Sequence, residues 1–123
     1  MPEESTRPYV FISYGSADRE RVLPIVAALT NAGIRVWRDQ DDIAGGTSYG
    51  PAIATAIRGS AAVLILCSDA SLTSRNVRQE MAIAWKHDKP YLPLLLDPVT
   101  TLPEEVEYWL EGAQWIEVLA HPR

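Results

Sequence analysis

Apolar residues recur along this chain in two rhythms. Short runs at 9–13 (YVFIS), 34–37, 61–67 (AAVLILC) and 91–96 (YLPLLL) read as strands. The run at 61–67 is unbroken rather than alternating, as a strand covered on both faces should be. Between the strands, apolar positions fall at helical spacing: Val22, Ile25, Val26 and Leu29; Ile53, Ala56 and Ile57; then residues 71–87; then Val106, Trp109 and Leu110. Residues 114–119 (QWIEVL) alternate and read as an edge strand.

Turn chemistry separates these segments. Gly15 with Ser16 and Asp18 marks the start of the first helix, and Gly33 ends it. Pro24 fits that helix if the regular part begins near Arg21, because a first-turn proline loses no hydrogen bond. Residues 38–50 (RDQDDIAGGTSYG) form a long loop, Pro51 opens the next helix, and Gly59 stops it. Pro93 places the fourth strand near a sheet edge or at a bulge, since it donates no ladder hydrogen bond. A short helix covers 102–110 and ends at Gly112.

Strands alternating with helices imply an α/β chain with a parallel sheet covered on both faces. Five strands at this length fit a flavodoxin-like three-layer sandwich, strand order 2-1-3-4-5. In that order the ligand site lies at the carboxyl ends of strands one and three. Residues 1–8 read as a disordered lead-in and 9–123 as a single domain. No internal repeat or low-complexity segment is present.

The stretch 71–87 (SLTSRNVRQEMAIAWKH) contains the one misplaced residue. At about 100° per residue, Val77, Met81, Ala84 and Trp85 share a face, with Ile83 on its flank. Glu80 falls inside that arc, between Ala84 and Ile83. An ionised Glu is rarely buried without a partner. Its helical neighbours three and four residues away are Asn76, Val77, Ile83 and Ala84, none of them cationic. Two readings stay open: a solvated or tertiary-paired Glu, or a functional carboxylate.

Composition narrows the function classes. The 123 residues suffice for one domain with a core. Net charge is −5 without a Lys/Arg cluster, which argues against nucleic acid or an anionic membrane as partner. The single Cys67 excludes a disulfide framework, and at the end of an apolar run it reads as a small buried hydrophobe. The run at 61–67 is far short of the ~18 residues a membrane helix needs, and MPEESTRP has no signal-peptide core. The simplest location is the cytoplasm. A membrane helix or partner domain outside this chain stays compatible with the sequence. Because the chain stops at Arg123 without a closing helix, a C-terminal sensor domain is one such expectation.

Several chemistries drop out. Neither G-x-x-x-x-G-K-[ST] nor G-x-G-x-x-G occurs. One Cys with His87 and His121 is too small a set for zinc, and no other metal site is expected. His87 reads as a helix C-terminal cation. A Ser-His-acid triad would need Ser13 or Ser68 near His87, and G-x-S-x-G is absent. A receiver domain shares the strand order but needs acids after strand one, where this chain has Ser13-Tyr14-Gly15.

From Tyr9 to Leu119 the chain resembles a Toll/interleukin-1 receptor (TIR) domain of the bacterial type. Val10-Phe11-Ile12-Ser13-Tyr14 followed by Asp18 is similar to the family's first box. Val36-Trp37-Arg38-Asp39 through Ile43, Gly46, Ser48 and Ile57 is similar to the second strand and the BB loop. Ser74-Arg75-Asn76-Val77-Arg78-Gln79-Glu80, preceded by Ser68, is similar to the S-x-W-x-x-x-E element. Pro93 and Leu96-Asp97 add a further short match.

The resemblance implies an NAD⁺ glycohydrolase with Glu80 as catalytic residue and NAD⁺ as substrate, with no cofactor. The products it implies are nicotinamide with ADP-ribose or a cyclic isomer. By the same resemblance Tyr14 and Gly15 line the nicotinamide and ribose side. Trp37, Asp39 and the Gly45-Gly46 loop cover the substrate, although Trp37 also reads as strand-end packing and the glycines as a plain turn. Asn76 stands where the family has Trp and cannot reproduce its stacking. Self-assembly with other TIR domains through the BB loop, and a role in antiviral defence, are further implications. The alternative is a non-catalytic TIR–TIR scaffold.

Overall fold

Strand β3 (Ala62–Cys67) is apolar at every position because both of its faces are covered. Val63, Ile65 and Cys67 point to one side and Leu64 and Leu66 to the other, all buried. In this computed structural model, residues 8–38, 50–98, 103–110 and 116–117 are described. β3 lies between β1 (Tyr9–Ser13) and β4 (Tyr91–Leu95), and β2 (Arg35–Arg38) flanks β1. All pairings are parallel, and the order is β2-β1-β3-β4-β5. The four longer strands form the body of the sheet. β5 (Ile116–Glu117) adds a two-residue edge opposite Leu94 and Leu95. The expected α/β sandwich and strand order are thus observed.

Helix α1 (Arg19–Asn31) covers one face, where Val22, Ile25, Val26 and Leu29 meet Ile12, Tyr14, Leu64 and Leu66. Helices α2 (Gly50–Gly59), α4 (Arg75–Lys86) and α5 (Glu104–Leu110) cover the other through Ile57, Val77, Met81, Ala84, Val106 and Leu110. A one-turn helix α3 (Asp69–Leu72) links β3 to α4. Among the described residues no helix is long and apolar enough to cross a membrane.

Four sequence expectations are corrected. The single helix over 71–87 is two helices, because Ser74 adopts an extended backbone (φ −74°, ψ 131°) and its Oγ accepts the Val77 N–H at 3.4 Å as the cap of α4. α1 begins at Arg19, preceded by a 3-10 turn at Ser16–Asp18, so Pro24 lies inside the helix and leaves the Glu20 carbonyl without its usual N–H; Pro24 is exposed, where water can replace that bond. Trp85, expected on the buried face, is 47% exposed and packs tilted against Tyr108 of α5, their ring centroids 5.7 Å apart. β2 runs one residue later than expected, through Arg38. Pro93 sits in β4 opposite Ile65, next to the two-residue edge strand, in keeping with its placement near the sheet edge.

Two helix ends turn the chain back toward the sheet by the same device. After α1, Gly33 (φ 88°) lets the Ile34 N–H reach the Leu29 carbonyl at 3.0 Å. After α4, Asp88 (φ 56°) takes the corresponding position, and the Lys89 N–H donates to the Ala84 carbonyl at 2.9 Å. His87 is the exposed C-terminal cap of α4, as its position in the sequence implies.

Candidate active site

The parity of β1 decides what reaches the site. Phe11 packs with the α4 side of the core, so Ser13, two residues on, points the same way. Ser13 is the last residue of β1 and lies in register with Ile65 of β3. Strand order reverses between these two strands, and a sheet of this kind binds ligands at such a switch point.

Glu80 comes to Ser13 from the middle of α4. The Ser13 hydroxyl donates to Glu80 Oε1 at 2.6 Å, the length expected of an O–H bond to a carboxylate. Ser13 is fully buried and Glu80 is 4% exposed. Glu80 is therefore a tertiary-paired carboxylate, and its pairing lies at the ligand-binding edge of the fold. Val77, Met81 and Ala84 anchor the same face of α4 in the core and fix where Glu80 points.

The other expected site residues divide. Trp37 is half-buried and stacks on Phe11, with ring centroids 5.3 Å apart and planes 18° apart, so it packs on the Glu80 side of the sheet. Asn76 is exposed one turn before Glu80 on α4. The buried ring of Tyr14 belongs with Ile12 and Val22 on the α1 side, across the sheet from Ser13 and Glu80. Gly15 makes a close approach: a Cβ there would stand 3.2 Å from the Ser71 Cα in α3, so the neighbouring backbone would have to give way. Asp39, Gly45 and Gly46 lie outside the described residues.

A second polar cluster, missed in the sequence, joins the same ends of the strands on the α1 side. Ser68, which follows β3, donates to Asp18 Oδ2 at 2.5 Å. Asp18 lies 3.5 Å from Arg21, which donates to both Asp97 oxygens at 2.8 Å and to the Leu96 carbonyl at 2.6 Å. The Arg21 guanidinium holds the Asp97 carboxyl below its usual range, by hydrogen bonding first. Ser68 also caps α3: its Oγ accepts the Ser71 N–H at 3.0 Å, and Ser71 Oγ accepts the Ser68 N–H at 2.9 Å. The spacing S-x-x-S was the available signal for this cap.

Cys67 is fully buried, and burial pushes its thiol up to about 12, in keeping with a packing role. Among the described residues no group of three His, Cys, Asp or Glu could hold a metal ion. What the site offers is one carboxylate, fixed by a hydroxyl, where it can face developing positive charge.

The family model for the TIR domain matches residues 10–122, and the chain belongs to that family. Solved TIR structures share the fold. The TIR domain of the Toll-related receptor TRR-2 from Hydra magnipapillata is 24% identical with a TM-score of 0.75, covering 89% of this chain and 82% of that one. The TIR domains of the activated Roq1 resistosome that recognises the pathogen effector XopQ are 22% identical with a TM-score of 0.63, covering 75% of this chain and 60% of that one. Comparison with curated proteins gives no match.

Proposed function

We propose that this TIR domain is an NAD⁺ glycohydrolase with Glu80 as its catalytic residue, active when copies of the chain assemble. The observation that carries the reading is the Glu80 carboxylate, buried, hydrogen-bonded to the end of β1 and lying at the β1/β3 switch point. The bond between nicotinamide and ribose breaks with its electron pair leaving on the nicotinamide nitrogen. Positive charge then spreads over the ribose carbon and ring oxygen, and a fixed carboxylate stabilises it. Water adds to that carbon and loses a proton, giving ADP-ribose; attack by an adenine nitrogen instead gives a cyclic isomer. Nicotinamide leaves neutral, so one carboxylate suffices.

Two facts support activation by assembly. At 4% exposure, Glu80 meets a substrate only after its surroundings rearrange. The Roq1 structure, of the same fold, is that of the TIR domains in an activated resistosome. A role in antiviral defence through NAD⁺ depletion is the setting this reading supports.

A second reading, a non-catalytic TIR–TIR scaffold, is favoured by one observation: the exposed Asn76 offers no aromatic surface where the family has Trp. An NAD⁺ assay on deliberately clustered protein separates the two. The enzyme reading expects nicotinamide release, reduced about a thousandfold or more by Glu80→Ala. Co-assembly without turnover of NAD⁺ or NADP⁺ establishes the scaffold. Turnover that survives Glu80→Ala removes Glu80 from the chemistry.

A further inference from the structure

We propose that Ser13 is the positioning residue of this site, its hydroxyl holding the Glu80 carboxylate in the orientation that cleavage requires. The inference rests on the glycohydrolase reading and adds to it a residue that touches Glu80 and not the substrate. Ser13 follows Val10, Phe11 and Ile12 in a strand packed on both faces, and it is fully buried. An apolar side chain would fill such a position equally well. A hydroxyl there needs an acceptor, and the acceptor is Glu80 Oε1 at 2.6 Å, sixty-seven residues away in sequence.

The two partners differ in freedom. Ser13 has one side-chain torsion and stands on a strand paired to β2 and β3 on its two sides. Glu80 has three torsions and extends from a helix, so fixing its Oε1 against the strand takes away orientational freedom. The bond to a rigid strand removes that freedom before substrate arrives, which is the condition for stabilising charge that appears only in the transition state.

The test is steady-state NAD⁺ cleavage by clustered full-length chain, with melting temperature followed for every variant. Ser13→Ala is expected to lower kcat about 10- to 100-fold per folded molecule with KM changed less than about twofold, because the carboxylate is misplaced and the substrate contacts are kept. Ser13→Thr keeps the hydroxyl and is expected to restore most of kcat. In a Glu80→Gln background, Ser13→Ala is expected to lower the residual turnover no further, since Ser13 acts through Glu80. If Ser13→Ala does not fold, Ser13→Cys, a weaker donor of similar size, takes its place with the same expected split.

Unchanged kcat in Ser13→Ala overturns the proposal, as does a loss explained wholly by unfolded protein or an equal loss in the Glu80→Gln background. Those results leave Glu80 as catalytic residue. Absence of turnover in the wild-type chain, or full activity of Glu80→Ala, overturns the underlying function and Ser13's role together.

Discussion

Two serines leave neighbouring strands at the same end of the sheet, and each gives its hydroxyl proton to a carboxylate. Ser68 donates to Asp18 at 2.5 Å and Ser13 to Glu80 at 2.6 Å, and all four residues are buried. The bonds are alike and their surroundings are not. Asp18 stands at the start of α1, where it also meets Arg21, and Arg21 continues to Asp97 and the Leu96 carbonyl. That cluster ties the ends of β1, β3 and β4 together, and local structure accounts for every member. Glu80 stands mid-helix, nearly two turns beyond the cap that Ser74 supplies. The comparison teaches that bond geometry alone does not separate a structural carboxylate from a functional one.

Breaking each pair in turn sharpens the contrast. The largest effect is expected of Glu80→Ala: on the glycohydrolase reading it lowers NAD⁺ turnover of clustered protein about a thousandfold or more while the α1-side cluster keeps its contacts. Ser68→Ala should do the reverse. It leaves Asp18 short of a buried donor and removes the α3 cap, so stability falls by about 1–3 kcal/mol in chemical denaturation while kcat per folded molecule holds. A Ser68→Ala variant of full stability but lost turnover would merge the two clusters into one site.

The smallest effect concerns pH. Asp97 titrates below its reference value of 3.8 in the folded chain because Arg21 hydrogen-bonds its ionised form. Its contribution is therefore fully present above pH 3.8 and is lost as pH falls through the lower folded value. Asp97→Asn should flatten the acid arm of the stability curve and leave the neutral plateau nearly level, because the pair is exposed. An acid arm identical to wild type would assign the sensitivity to another carboxylate.

Strand and helix placement and the anomaly at Glu80 are legible in the sequence because each depends on periodicity, and strand order follows from the alternation of strands with helices and the strand count. AAVLILC could only be a strand covered twice, and Glu80 could only interrupt an apolar arc. The partner of Glu80 was not legible, since nothing local marks Ser13 as a donor to a residue sixty-seven positions away. The Ser68–Asp18 bond spans fifty positions and was hidden for the same reason. Tyr14 illustrates a signal present but unused: alternation along β1 sends positions 11 and 13 to one face and 12 and 14 to the other. Proximity in sequence placed Tyr14 beside the site, and strand parity carries its ring across the sheet. The break at Ser74 was likewise visible as a second cap inside one amphipathic pattern.

The central strand also carries a chemical clock. Cys67 is the chain's only thiol, sealed in the sheet and held at about 12. A maleimide or disulfide reagent needs the thiolate and a path to it, and the native chain offers neither. Labelling at Cys67 should therefore proceed at the rate at which the middle of the sheet opens. Slower labelling on clustering would show that association stabilises the sheet, and unchanged labelling that it does not, in a readout independent of any turnover.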